Sequence, residues 1–471
     1  MTRFLLSLLL AVPAMAAERP NIILVGSEDI SPDLACYGCK DAVTPNLDAF
    51  AAQGARFTKA FSHAPVCAPT RSGMITGQYP TTMGSHHMRS KLVNIPPTYV
   101  DHLRKAGYFI AWPKVNGKTD FNFDVPKGFA DTDADWTKNP GVLPKDKPFF
   151  AYVNYTVTHE SQVRAGEAAY KRNVARLKPE QIHDRSKVSL PPYYPDTPAI
   201  RECVAKYHDN ITALDYLIGD LMKTIDEQKW ENTIVVFFGD HGAGMPRGKR
   251  TPLDSGLRVP LLIRWPGKVK PGTVRDDLTC FLDLAPTFLT LAGAEVPKEM
   301  VGRCIVGEKA GKAPEYVFAA RDRMDEAPDR IRSVRSERYR YVRNYMPELP
   351  YAQWINYQDE MPIMKDWRRL AFEGKLNDIQ KLFFARTKPK EELYDLETDP
   401  FEVNNIANAE SAEIQNVKRA MSAALDKWIV DTKDLGEVPE KELIERRIVK
   451  DVISGEYTER VKLHPKTPPV P

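Results

Sequence analysis

Two short runs without a single charge constrain this chain more than any other feature. Residues 21–25 (N-I-I-L-V) sit between Pro20 and Gly26, and residues 233–238 (T-I-V-V-F-F) end at Gly239. Runs that are apolar at every position, rather than at alternate ones, predict strands buried on both faces of a sheet. Residues 148–153 and 259–265 supply further strands of this kind. Helical patterns lie between them. Residues 201–228 place Ala205, Ile211, Leu214, Leu217, Ile218, Leu221 and Ile225 on one face, and residues 284–291 form another helix. Thr44-Pro45 predicts a helix start as cap and first residue, with Leu47, Phe50 and Ala51 inward and Gly54 at its end. Strands alternating with helices predict an α/β fold with a large, mostly parallel sheet sandwiched by helices. The composition shifts at residues 308–314. Shorter runs such as 339–345, and a helix near 409–429, predict a smaller C-terminal α+β subdomain with a short antiparallel sheet. The expected organisation is 1–17, 18–310 and 311–471.

Residues 1–17 lie outside that fold. A basic start at Arg3, an apolar stretch and Ala14-Met15-Ala16 have the form of a cleavable signal peptide. No later stretch reaches the ~18 apolar residues of a membrane span. The expected protein is therefore exported, periplasmic or secreted, with no stable membrane insertion. Lys+Arg 66 against Asp+Glu 63 leaves a net charge of +3, which excludes a strongly basic nucleic-acid binder. Six cysteines are too few for a disulfide scaffold, and Cys36-x-x-Cys39 lacks the second pair of a zinc site. A local disulfide or two inert thiols is expected there. The sequons at Asn154 and Asn210 fall in a predicted strand and helix, so neither is expected to carry a glycan. The Pro-rich end after His464 is expected to be a loose tail.

In parallel sheets, ligands collect at the carboxyl ends of the strands. There the sequence has Glu28-Asp29 after the first run and Asp240-His241 after the later one. Together these could ligate one divalent cation. Acidic oxygens favour Ca²⁺ or Mg²⁺, and the imidazole shifts the balance toward Mn²⁺ or Zn²⁺. The alternative is that the carboxylates cap helices and His241 bonds a turn. Between them lies Cys67-Ala68-Pro69-Thr70-Arg71. Pro69 suits the first turn of a helix, which puts Cys67 at the positive end of the dipole. The fork of Arg71 suits sulfate or phosphate oxygens. A buried structural cysteine is the alternative.

C-A-P-T-R followed by S-G-M-I-T-G resembles the C-x-P-x-R signature of type I sulfatases, in the alkaline phosphatase superfamily. Residues 20–29, T-P-N-L-D at 44–48, G-D-H-G at 239–242, R-V-P at 258–260 and W-P-G at 265–267 extend the resemblance. L-Y-D-L at 393–396 and D-P-F-E at 399–402 carry it into the C-terminal part. The resemblance implies that Cys67 is oxidised to Cα-formylglycine by a formylglycine-generating or sulfatase-maturing enzyme. The aldehyde hydrate would attack sulfur and the sulfated intermediate would collapse by C–O cleavage. It implies a metal site of Glu28, Asp29, Asp240 and His241, with Ca²⁺ expected and Mg²⁺ or Mn²⁺ as alternatives. Arg71 would hold the hydrate, Lys118 matches the family's G-K lysine, and Asp120 stands where many members have His. His159 takes the place of a leaving-group acid or sulfate contact, with Thr158 for the usual proline. Lys249 takes that of the sulfate-binding lysine, with Arg250 its one-residue-shifted alternative.

Polar strings at His86, His87, Arg321 and Arg323 are candidates for contacts to a sulfated carbohydrate. Ordinary capping loops and salt-bridged surfaces are the alternative for each. The resemblance includes bacterial glycan sulfatases, some similar to glucosamine N-sulfatases. Two rival activities are a phosphonate monoester or phosphodiester hydrolase of the same superfamily, and a catalytically silent sulfated-glycan-binding protein.

Overall fold

The computed structural model describes residues 19–451. The predicted signal peptide and the Pro-rich end lie outside the described residues. The charge-free runs form the middle of a seven-stranded sheet: β1 (Asn21–Ser27), β2 (Ala55–Phe57), β3 (Phe109–Ala111), β4 (Phe149–Tyr155), β5 (Thr233–Gly239), β6 (Leu261–Arg264) and β7 (Thr273–Arg275). The order is β3-β4-β1-β5-β6-β2-β7. Only β6 runs against the others, so the sheet is mostly parallel. Every residue of β5 is buried, as its unbroken apolar run requires.

Helices cover both faces. The helix Pro198–Gln228 turns Ile211, Leu214, Ile218, Leu221 and Ile225 into one core, with Val25, Phe149 and Phe237 from the sheet. Leu217, expected on the same face, is only half-buried, because the curving contact follows the 211/214/218/221 stripe. The second core packs Phe281, Leu284 and Phe288 against Ile22, Leu24 and Phe238.

Thr44 does not cap the helix Pro45–Ala52, contrary to the sequence expectation. Its hydroxyl instead accepts from Ala35 N at 2.9 Å. The first free amides, Asn46 N and Leu47 N, donate to the Asp215 carboxylate at 3.1 and 2.7 Å. A buried carboxylate from another helix is the stronger acceptor for those two donors.

The smaller sheet is antiparallel throughout, in the order Val317–Arg321, Ile331–Arg335, Tyr339–Asn344, Glu391–Asp395. The helix Ala412–Thr432 lies on it through Met421, Leu425 and Trp428. The chain after residue 310 is not confined to this unit. Trp367, Phe383 and Phe384 join the first core, and Val449–Lys450 pairs with Lys91–Leu92. All six cysteines are free thiols, so Cys36 and Cys39 are unpaired. Asn154 and Asn210 are fully buried, as expected for residues that carry no glycan.

Candidate active site

Three neighbouring strands, β4, β1 and β5, deliver the site at their carboxyl ends. β1 is followed by Glu28-Asp29, β5 by Asp240-His241, and β4, three residues on, by His159-Glu160. Thr158, which stands for the family's proline, donates its hydroxyl to Glu28 O at 2.6 Å and ties the β4 loop to β1. The helix Cys67–Thr76 faces this edge with Cys67 as its first residue.

Arg71, one turn along and 1% exposed, is the central strut. It donates to Tyr152 Oη at 2.7 Å, Asn154 Oδ1 at 2.9 Å and Asp240 Oδ2 at 2.9 Å, and lies 3.8 Å from Glu28. Asn154 passes the connection on by donating to Glu28 Oε1 at 2.7 Å. Gly26 leaves room for this network, since a Cβ there would lie 2.6 Å from Asn154 Oδ1. Arg71 thus braces the acids and the strands that carry them.

Asp29, Asp240 and His241 converge as one cluster of acceptors. His241 Nδ1 lies 3.0 Å from Gly242 O, an acceptor only, so Nδ1 carries the proton. In the neutral ring the Nε2 lone pair then faces Asp29 Oδ1 at 3.0 Å and Asp240 Oδ1 at 3.7 Å, and Nε2 has no hydrogen-bond partner among the described residues. Lone pairs converging in a buried space fit a cation. Glu28 stands beside this cluster, held by Lys118 and Asn154. Asp29 adopts a left-handed backbone, φ 55°, and its N–H donates to Asp240. Burial opposes its charge, but the Lys249 ammonium beside it holds its carboxyl well below the usual range.

Lys249 and Lys118 lie close enough to Cys67 to act on its thiol. Lys249 Nζ lies 2.9 Å from Asp29 and 2.8 Å from Glu160, and Arg250 forks onto Glu160 at 2.8 and 3.0 Å. Asp29, His159 and Glu160 also approach as a possible metal triad, but the Lys249 ammonium fills the space between Asp29 and Glu160. Lys118 pairs with Glu28 at 2.9 Å and Asp120 at 3.4 Å. Four cations (Arg71, Lys118, Lys249, Arg250) meet six carboxylates (Glu28, Asp29, Asp120, Glu160, Asp240 and, 3.8 Å from Arg250, Asp325). A divalent ion would offset that excess of negative charge, which favours the approach of an anionic ester.

Burial, then Asp120, push the Cys67 thiol far above its ordinary range, so an unmodified Cys67 is protonated and weakly nucleophilic. Asp120 is only partly buried, its side chain 32% exposed; that burial opposes its charge, but Lys118, then Arg71, outweigh it and keep the carboxyl ionised beside Cys67. It is therefore an acceptor or base and not a proton donor. His159 is lowered by burial, which keeps it neutral. Its Nδ1 accepts from Ser161 N at 3.2 Å, so the proton sits on Nε2, the side facing Glu28 at 3.8 Å.

The structure does not bring His86, His87, Arg321 and Arg323 into this set. His86 and His87 pack ring to ring, 4.3 Å apart, buried beside Arg323 and Arg332. Asn122 pins their loop by donating to Ser85 O and His87 O. Arg323 forks onto Glu440 at 2.6 Å, and Arg321 is buried 3.7 Å from Asp329. Buried charges are retained where partners satisfy them, and these partners belong to the second sheet's own scaffold. Arg250 does join the site, against Glu160 rather than open to solvent.

Sequence reasoning missed Glu160, Asn154 and Tyr152. His159-Glu160 repeats at β4 the acid–imidazole pairing that Asp240-His241 makes after β5, and that was the available signal. The clamp from the second sheet was also missed. Arg247 donates to Phe401 O and Glu402 O, and Asp254 N to Glu402 Oε2, so D-P-F-E fastens the loop that carries Lys249.

Strand-end acids bridged by an arginine and faced by a helix N-terminus define a hydrolase of anionic esters with an alkaline-phosphatase-like fold. The chain belongs to the sulfatase family. The sulfatase family model matches residues 20–294, and that of the N-sulphoglucosamine sulphohydrolase C-terminal region matches 239–360. An ulvan-active sulfatase of Formosa agariphila is 36% identical over 95% of this chain and 80% of its own length. Human N-sulphoglucosamine sulphohydrolase is 24% identical over 90% of this chain and 93% of its own. A solved structure in complex with its substrate D-glucosamine-2-N,6-O-disulfate shares the fold, with TM-score 0.62 and 19% identity over 90% of this chain and all of that one.

Proposed function

We propose that this sulfatase removes sulfate from a sulfated carbohydrate, using residue 67 as Cα-formylglycine. The observation that carries the reading is Cys67 itself, a protonated thiol at a helix N-terminus near Lys118 and Lys249, useless as a thiolate nucleophile but well placed once converted. Formylglycine supplies a geminal-diol oxygen for attack on sulfur and a second hydroxyl for release of sulfate. Asp29, Asp240 and His241, with Glu28 beside them, would hold a divalent cation, which would supply Lewis-acid charge to the bound sulfate ester. Lys118 and Lys249 orient those oxygens. Asp120 accepts the proton of the residue-67 hydroxyl, and the His159 Nε2 proton is available to the departing sugar oxygen or nitrogen. The relatives' names, one ulvan-active and one acting on N-sulphoglucosamine, support a glycan substrate. The form of residues 1–17 supports export.

The test is the mass of the tryptic peptide 60–71 from native protein, followed by sulfated algal and glycosaminoglycan oligosaccharides with a phosphonate ester control. Formylglycine differs from cysteine by oxygen for sulfur and two fewer hydrogens. Cysteine alone in native material, with oligosaccharide binding but no sulfate release, would favour the silent binder.

Dialysis against a chelator is expected to abolish sulfate release and lower the thermal midpoint. An ion at 100 times its Kd adds about 2.7 kcal/mol to the folded state. Calorimetric titration with Ca²⁺ and with Mn²⁺ identifies the preferred ion. The absence of both heat and stabilisation with either ion would rule out the cluster as a metal site.

A further inference from the structure

We propose that Glu160 is a positioning residue, whose buried carboxylate holds Lys249 and Arg250 side by side and fixes the Lys249 ammonium in reach of residue 67. The proposal rests on the sulfatase reading above and concerns a residue to which that mechanism gives no role.

The geometry is that of a two-cation clamp. Glu160 is 2% exposed. Its Oε1 takes Lys249 Nζ at 2.8 Å and Arg250 Nη2 at 3.0 Å, and its Oε2 takes Arg250 Nη1 at 2.8 Å. Its own N–H donates to Asp29 Oδ2 at 2.7 Å, which sets where the carboxylate starts. Gly244 permits this approach, because a Cβ there would lie 2.8 Å from Asp29 Cβ and 3.0 Å from Glu160 Cβ. Arg250 is anchored at both ends. Its N–H donates to Pro65 O, two residues before Cys67, and it sits in the left-handed region at φ 73°. Its guanidinium also approaches Asp325 at 3.8 Å, and Asp325 pairs with the half-exposed Arg89 at 3.2 Å.

A lysine has a flexible four-carbon stem, so its ammonium goes where its anions are. Lys249 has two. Asp29 belongs to the acceptor cluster that fits a cation, and the charge of that cation opposes the ammonium. Among the described residues the Glu160 carboxylate bonds only Lys249 and Arg250, and it stays with Lys249 whether or not Asp29 is engaged. Without it, an ammonium and a guanidinium on consecutive residues would share a buried space with no common anion, and mutual repulsion would move the flexible one.

The experiment compares the full-length wild type with Glu160→Gln and Glu160→Asp, each with residue 67 checked by peptide mass. Glu160→Gln is expected to lower kcat by about 100-fold, the loss that accompanies a misplacement of about 1 Å at a reacting centre. KM for the sulfated oligosaccharide is expected not to rise, since the site gains one positive charge. Glu160→Asp keeps the charge but has too short an arm for both cations, and is expected to fall between the two. It carries the comparison if the Gln variant does not fold. Crystal structures of wild type and variant are expected to show Lys249 Nζ displaced by about 1 Å or more. An unchanged kcat, a raised KM with kcat intact, or a kcat loss with Lys249 in place would each overturn the proposal. If wild type releases no sulfate from any substrate, the functional reading fails, and the position of Lys249 in the two structures still decides the role of Glu160.

Discussion

Replacing Cys67 by Ala is expected to lower sulfate release by about 10⁴-fold or more, with little change in stability or KM. The activity loss follows from the site's chemistry. Four cations remain to bind the ester, but no atom on residue 67 can be oxidised to an aldehyde, and Asp120 loses the group it faces. The small structural effect follows from packing. Cys67 lies among Val66, Ala68, Met88, Met324, Ala327 and Ile355, and losing one sulfur there costs about 1 kcal/mol. Sulfate release assayed beside thermal unfolding separates the two effects. Activity within tenfold of wild type would place the nucleophile elsewhere, and a collapse of the thermal midpoint would make Cys67 a structural residue.

Arg71→Met is expected to fail on both counts. The guanidinium is the shared partner of Tyr152, Asn154 and Asp240, with Glu28 close by, all of them buried. Methionine fills much of the volume but leaves Asp240 without its counter-charge. Removing one partner of a buried ion pair costs about 3–5 kcal/mol. Activity falls as well, because Asp240, one of the three converging acceptors, loses the guanidinium that holds it in place. Arg71→Lys is expected to recover part of the stability and little of the activity, since an ammonium cannot span three acceptors as a fork does. Urea unfolding of the three proteins measures the first effect and sulfate release the second. A Met variant as stable as wild type would mean that another group balances Asp240.

Much of the fold was legible because its signals are local. A buried strand announces itself by a charge-free run, as at β1 and β5, and a helix start by proline, as at Pro69. Glu28, Asp29, Asp240, His241, Cys67, Arg71, Lys118, Asp120, His159 and Lys249 were all named from position in a motif, and the fold gathers them at one edge of the sheet. The residues that the fold keeps apart from that edge have the same composition as those it gathers there. His86 and His87 look as polar as His159, and Arg321 and Arg323 as cationic as Lys249, yet their partners lie in Arg332, Glu440 and Asp329.

The sequence by itself determined which apolar runs become the central strands, which residue heads the signature helix and which acids follow the strands, because these depend on neighbours within a few positions. Only the tertiary structure decided that Asp215 caps a helix 169 residues away, that Glu160 clamps cations 90 residues on, and that Glu402 fastens the Lys249 loop across 148 residues. Such pairs form because sheet order and the crossing of two sheets bring their backbones together. No local preference encodes that distance. A buried charge takes whichever partner the fold carries to it.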